Sequence, residues 1–296
     1  MPIEQALRFL FVVNPISGGN DKSQLVDEAK HHFQQLGHIV YCHELDGKTD
    51  EDEVSKLITE WKPDRVIAVG GDGTLKLVAE LLLDNNIPIG LIPAGSANGM
   101  AMELDIPADI QACLEIIDND YVQPLDAIII NEKEVCLHLS DIGLNAQLVK
   151  KFEQSDRRGK WGYLREVLGV LVRRKQLRVR ITVDGKVYPR KAFMIVLANA
   201  RMYGMGTMIN PDGNLQDGKM EIVVVKRVSL WELLKMFFRY RHFNPRKIEI
   251  IPAESVTITS AKDAWFQVDG EYMGKVKEVT ARVHKHALRM ILPEPE

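Results

Sequence analysis

Cysteine is scarce in this 296-residue chain: Cys42, Cys113 and Cys136 lie far apart and form no Cys-x-x-Cys or Cys/His pattern. That excludes a disulfide framework and a zinc ribbon, and it suits a reducing, cytosolic compartment in which all three pack as small core hydrophobes. Long apolar runs are also missing; none approaches the ~18–20 residues that span a bilayer, and the first residues show no basic stretch or cleavage site of a secretory signal. The expectation is a protein neither secreted nor membrane-spanning. Repeats, low-complexity tracts and long linkers are absent too. What remains, 46% hydrophobic and 27% charged residues with 21 glycines and 13 prolines, is the composition of folded globular chains, and the length fits two ordinary domains or one large one.

The net charge of −3 conceals an asymmetry. Residues 1–125 carry 8 Lys/Arg against 21 Asp/Glu, whereas 126–296 carry 30 against 20. Two segments concentrate the basic excess: 157–180 has nine basic residues and Glu166, and 226–247 has seven and Glu232. Fields of this kind attract anionic lipid or other polyanions, although solvated helix faces give the same counts.

Along the first half, short apolar runs alternate with helical patterns: strands over Leu7–Val13, His38–His43, Arg65–Val69 and Pro88–Ile92, and helices over Lys22–Leu36, Glu51–Trp61, Leu75–Leu83 and Asp109–Ile117. This predicts a mostly parallel sheet covered on both faces, with ligands beyond the strand C-termini. After Pro124 the texture changes to short Val/Ile-rich runs, Asp126–Ile130, Arg178–Val183, Phe193–Asn199, Met220–Val225, Ser255–Thr259 and Ala264–Val268, which predict an antiparallel β domain. Helical spacing over Trp161–Val172 and Leu230–Arg241 interrupts it. The domain boundary falls near Gln123–Asp126.

Three strand-to-loop junctions carry the chemistry. Asn14-Pro15-Ile16-Ser17-Gly18-Gly19 follows the first strand; Gly70-Gly71-Asp72-Gly73-Thr74 follows the third and opens a helix; Pro93-Ala94-Gly95-Ser96-Ala97-Asn98-Gly99 follows the fourth. Glycine lets backbone amides approach a phosphate, and a helix N-terminus favours an anion. A carboxylate at Asp72 would repel bare phosphate, so it makes sense beside a bridging Mg²⁺, which takes oxygen ligands and keeps several waters. One such loop is weak evidence, because tight turns need glycine for structural reasons; three in register are far stronger.

Taken together, these motifs resemble the diacylglycerol kinase catalytic-domain superfamily, which includes bacterial lipid kinases and the sphingosine and ceramide kinases. Gly-Gly-Asp-Gly-Thr alone would also suit NAD kinases and phosphofructokinases; the preceding Asn-Pro-Ile-Ser-Gly-Gly points to the lipid branch. The resemblance continues through Pro124-Leu125-Asp126, Ile142-Gly143-Leu144-Asn145-Ala146, Asn210-Pro211-Asp212, Leu215-Gln216-Asp217-Gly218-Lys219 and Asp269-Gly270-Glu271. It implies a Rossmann-like α/β lobe of the phosphofructokinase/NAD-kinase type over 1–125, completed by 287–296. It further implies a β-sandwich lipid-binding lobe with a few helices over 126–286, an active site in the cleft between the lobes, and transfer of the ATP γ-phosphoryl group to a lipid hydroxyl. By position, Asn14, Pro15, Ser17, Gly18, Gly70, Gly71, Gly73, Thr74, Gly95, Ser96 and Asn98 surround the nucleotide. Asp72 and Asp126, with Asp217, serve Mg²⁺, and Asp269 is the general base supported by Glu271. Such a set suffices for phosphoryl transfer, which asks mainly for positioning and charge neutralisation.

The resemblance has gaps. Leu77 stands where the family usually has Glu, Gly99 where many members have Asp, Asn145 where Asp is common, and Gln216 in place of the first Asp of Asp-Asp-Gly, which weakens the expected Mg²⁺ shell. Asp269-Gly270 reads equally as a two-residue hairpin turn, as does Asp184-Gly185; the late position and Glu271 favour Asp269 for the site. Leu230, Trp231, Leu234, Phe237 and Phe238 form an apolar stripe flanked by basic residues, which suits an interfacial helix or a core helix. The expected partners are a lipid substrate and, through 157–180 and 226–247, an anionic membrane surface, with a peripheral location in the cytoplasm. Diacylglycerol is the first acceptor to consider and a sphingoid base the second. A homodimer stays open; nucleic acid is not expected, since charge alone supports it. A lipid- or nucleotide-binding protein without transfer is the rival class.

Overall fold

The computed structural model describes residues 6–19, 22–143, 176–203, 207–227 and 243–295. Asn145, the helical stretches 161–172 and 230–241, and most of the basic segments 157–180 and 226–247 lie outside them. The chain divides into two compact units, one of residues up to Leu125 together with those from His286 on, the other Asp126–Lys285.

In the first unit, β1 (Arg8–Val13) leads through a single 3-10 turn (Ser17–Gly19) to α1 (Ser23–Gln35), then β2 (Ile39–Glu44), α2 (Asp50–Trp61), β3 (Arg65–Gly70), α3 (Asp72–Leu81), β4 (Ile89–Pro93), α4 (Gly99–Glu103) and α5 (Ile110–Asn119). The strands pair in parallel in the order β4-β3-β1-β2, as the alternating pattern predicts. β1, β3 and β4 are buried almost throughout, which is why they read as unbroken apolar runs rather than alternating ones. Phe33 of α1 stacks on Phe9 at 4.5 Å between ring centroids and meets Phe11 edge-on at 5.9 Å, fastening the helix to the sheet. Asp109 caps α5 by accepting from the Ala112 amide, the ordinary role of Asp before a helical run.

The second unit is β-rich. Its strands are β5 (Val122–Ile130, starting in the first unit), β6 (Glu134–Cys136), β7 (Leu139–Gly143), β8 (Leu177–Val183), β9 (Lys186–Ala192), β10 (Met194–Ala198), β11 (Met202–Tyr203), β12 (Thr207–Met208), β13 (Met220–Val225), β14 (Ile248–Ala253), β15 (Ser255–Val268) and β16 (Glu271–Ile291). Antiparallel pairing runs β14-β13-β10-β7-β15, and β15 also pairs with β8 and β16. The two runs expected as separate strands, Ser255–Thr259 and Ala264–Val268, are one strand. Register shifts between Thr259 and Ala264 and between Trp265 and Gln267 absorb the polar residues that interrupt the apolar pattern. β9, with Lys186, Arg190 and Lys191, has too little apolar character to be read as a strand, yet it pairs along its whole length with β8. β16 leaves the second unit at Lys285. After left-handed His286 (φ 54°), it supplies the first unit with Met290, paired in parallel with Ile89 of β4.

Candidate active site

The three glycine loops meet. They leave the C-terminal ends of β1, β3 and β4, three neighbours in one parallel sheet, and they contact one another backbone to backbone. The Ser17 hydroxyl lies 3.1 Å from the carbonyls of both Asn14 and Ala94 and so joins the first loop to the third. Gly18, left-handed at φ 64°, approaches so closely that a Cβ there would stand 2.7 Å from the Ala94 oxygen. A Cβ on Gly95 would stand 2.5 Å from the Gly71 Cα. Asn14 N–H donates to Val69 O, and Ala94 N–H to Gly70 O at 2.7 Å. Asn98, left-handed at φ 50°, bonds both the N–H and the carbonyl of Gly95 through its side chain. Of the residues the sequence singles out, Asn14, Ser17, Gly18, Gly70, Gly71, Thr74, Gly95 and Asn98 are interlocked here, with Pro15, Gly73 and Ser96 in the same three loops.

α3 begins at Asp72, three residues before the apolar periodicity announces it, so Asp72-Gly73-Thr74 forms its first turn. The first N–H groups of a helix lack intrahelical partners and present positive potential, although the Thr74 N–H already donates to the Gly71 carbonyl at 3.1 Å. Thr74 is buried, and its hydroxyl has no hydrogen-bond partner among the described residues. That hydroxyl is closed off from solvent and fills the space beside Gly70, where a Cβ would stand only 2.3 Å from it. The Asp72 carboxylate is already engaged: its oxygens accept from the amides of Gly99 and Met100, both at 2.9 Å, capping α4. Capping explains a carboxylate at this position without a cation, an alternative the sequence does not reveal.

In the second unit the two Asp-Gly pairs, indistinguishable by sequence, part company. Both sit at two-residue hairpin turns with positive φ, Asp184-Gly185 at 50° and 73° and Asp269-Gly270 at 46° and 89°, the mirror-image geometry that matches strand twist. Asp184 is exposed. Asp269 instead turns its carboxylate into the loop between β6 and β7: Oδ1 accepts from the His138 and Leu139 amides at 3.0 and 3.1 Å, with the Cys136 thiol at 3.3 Å, and Oδ2 accepts from the Leu137 amide at 2.9 Å. Glu271, exposed, opens β16 directly after the turn. Asp126 is buried in β5, its Oδ2 accepting from the Gly218 amide at 2.7 Å. Asp217 is exposed and folds back on its own turn through Lys219 N–H, as a turn residue does. No three His, Cys, Asp or Glu side chains among the described residues group closely enough to cage a metal. The Asp72 carboxylate taken by itself fits a hydrated Mg²⁺, because an oxygen that accepts one amide keeps a lone pair for a metal-bound water.

Sequence reasoning misses Cys136, the amides of 137–139 and Asn199. Amides have no side-chain signature, and Asn199 reads only as the polar end of an apolar strand.

A parallel α/β unit with three converging glycine loops, followed in the chain by a β-rich unit, is the architecture that the family comparison then identifies. The chain belongs to the diacylglycerol kinase family: residues 8–130 match the diacylglycerol kinase catalytic domain, and residues 140–292 match the YegS C-terminal NAD kinase beta sandwich-like domain. A diacylglycerol kinase of Bacillus subtilis (strain 168) is 24% identical over 295 residues, covering 97% of each chain. One from Staphylococcus haemolyticus (strain JCSC1435) is 24% identical over 285 residues, 93% of this chain and 85% of the relative. Two solved structures from Bacillus anthracis str. Sterne share the fold: a diacylglycerol kinase at TM-score 0.76 and 19% identity, and a second chain at 0.78 and 21%, each aligned over 97% of both chains.

Proposed function

We propose that the protein transfers the γ-phosphoryl group of ATP to a lipid hydroxyl, with diacylglycerol as the acceptor and a sphingoid base as the alternative. The observation that carries this is the convergence of the three glycine loops at the start of α3, in a chain whose relatives are diacylglycerol kinases. In this assignment the loop amides, Ser17 and Thr74 hold the nucleotide phosphates. Asp72 and Asp126 receive the water shell of Mg²⁺, which neutralises phosphate charge when bound. Asp269 takes the acceptor's proton through Oδ2, its less occupied oxygen, while the amides on Oδ1 fix its direction; Glu271 supports it electrostatically. Action at an anionic membrane surface rests on the basic segments 157–180 and 226–247. At ~1 kcal/mol per basic residue near such a surface, a few contacts localise the enzyme. No described helix is long and apolar enough to cross a membrane.

A second reading, nucleotide or lipid binding without transfer, is favoured by Asp72 being occupied as the cap of α4 and by Gly99 standing where an acidic residue is common. One experiment separates the two. The protein is incubated with γ-labelled ATP, Mg²⁺ and anionic mixed micelles carrying diacylglycerol, monoacylglycerol, sphingosine or ceramide, and label is followed into the organic phase. Labelled diacylglycerol is the expected result; nucleotide binding without any labelled lipid would favour the binding protein.

A further inference from the structure

Asn199 sits immediately after β10, 1% exposed, and its side chain is committed in two directions. Nδ2 donates to the Asp126 carbonyl at 2.9 Å and to the Leu137 carbonyl at 2.8 Å. Because both donors meet carbonyls, the amide has one orientation only, and Oδ1 is left without a partner among the described residues. The Asn199 and Ala200 amides both donate to the His138 carbonyl at 3.1 Å. The segment 137–139 is thus held on its carbonyl side by Asn199 and its neighbour, while its three N–H groups grip the Asp269 carboxylate.

We infer that Asn199 is a positioning residue for the transfer reaction: it fixes the amide clamp that aims Asp269, and it ties that clamp to the strand carrying Asp126. This rests on the role proposed above for Asp269. A buried amide donating to two carbonyls is costly to lose, since truncation strands both acceptors. Aim matters more than stability here, because a misplacement of 1 Å in a reacting group can cost ~100-fold in rate.

The test is a double-mutant cycle with Asn199→Ala and Asp269→Ala, following lipid phosphorylation, KM for ATP, and hydrogen exchange of the amides of 137–139. In Asn199→Ala, kcat should fall at least about tenfold with KM for ATP within about twofold, and 137–139 should lose protection. In the Asp269→Ala background, removing Asn199 should cost nothing more, because a residue that acts only through Asp269 has nothing left to position. A folded Asn199→Ala protein with wild-type kcat, or a full further loss in the double variant, would overturn the inference. If the wild type phosphorylates no lipid, or Asp269→Ala retains full activity, the proposed function or the role of Asp269 fails instead. Unchanged protection of 137–139 in Asn199→Ala would then sink the clamp itself, whatever the activity. Should Asn199→Ala not fold, Asn199→Ser, whose hydroxyl can serve one carbonyl, takes its place with the same readouts and an intermediate kcat.

Discussion

Gly95 and Gly73 lie in the same group of loops but answer to different constraints. A Cβ on Gly95 would press on the Gly71 backbone, which cannot move aside as a side chain can. Gly95→Ala should therefore cost about 1–3 kcal/mol and abolish nucleotide binding, as read by urea unfolding and ATP titration. Gly73 has open space around it and lies inside α3. Gly73→Ala should stabilise the fold by roughly 0.5–1 kcal/mol while raising the Kd for ATP, because the space it fills is the space assigned to phosphate. An unchanged Kd would remove Gly73 from that site. Glu221 makes a different kind of forecast. Burial pushes its carboxyl above the ordinary 4.5, against the opposing hydrogen bond from Asn210, with Asp217 and Asp212 adding to the rise. The folded chain thus holds this proton to a higher pH than the unfolded one. The stability it confers is complete below pH 4.5 and is lost as pH rises through the folded-state value. Glu221→Gln should raise the melting temperature more at pH 8 than at pH 4.5, and an equal shift at both would refute the assignment. The sequence shows none of this: Glu221 is one acidic residue in an apolar strand until folding buries it beside Asn210.

Between residues and molecule stand the hairpins and short helices, where the sequence is half legible. Short apolar runs mark β1, β3, β4 and β13 well because burial on both faces demands unbroken Val, Ile and Leu. β9 escapes notice because one paired edge suffices to hold a polar strand. The β15–β16 hairpin shows the limit most plainly, since Asp-Gly predicts its turn but not what the carboxylate does. From sequence alone, Asp269→Asn should fold normally and lose only turnover. The clamp changes that expectation. An Asn whose oxygen keeps the His138 and Leu139 amides presents its NH₂ to the Leu137 N–H, a donor facing a donor. Asp269→Asn should lose turnover and also about 1–3 kcal/mol of stability, measured by denaturant unfolding of the second unit. Stability equal to wild type would mean the three amide bonds do not persist in solution.

At the scale of the whole chain, covalent order and spatial order differ, because the last strand is shared. The residues after Lys285 belong to the unit that contains the glycine loops. Ala287, Leu288, Met290 and Ile291 are all buried there. The Ala287 carbonyl accepts from the Asp84 amide, and Leu292 N–H donates to the Tyr121 carbonyl, both at 2.9 Å. Without this segment β4, which leads into the loop carrying Gly95, would become a sheet edge with unpaired backbone N–H and C=O groups. Burying the Leu, Met and Ile side chains contributes about 1.5–3 kcal/mol each, against a typical domain stability of only ~5–15 kcal/mol. A chain ending at Lys285 should therefore lose nucleotide binding although every glycine-loop residue is present, and limited proteolysis should cut within 1–125 first. Met290→Ala in the full-length chain should give the graded version, a loss of roughly 2–5 kcal/mol with ATP affinity retained below the new melting temperature. If the shortened chain binds ATP as the full one does, the terminal strand is an accessory, and the first unit folds on the strength of β1–β4 and their helices alone.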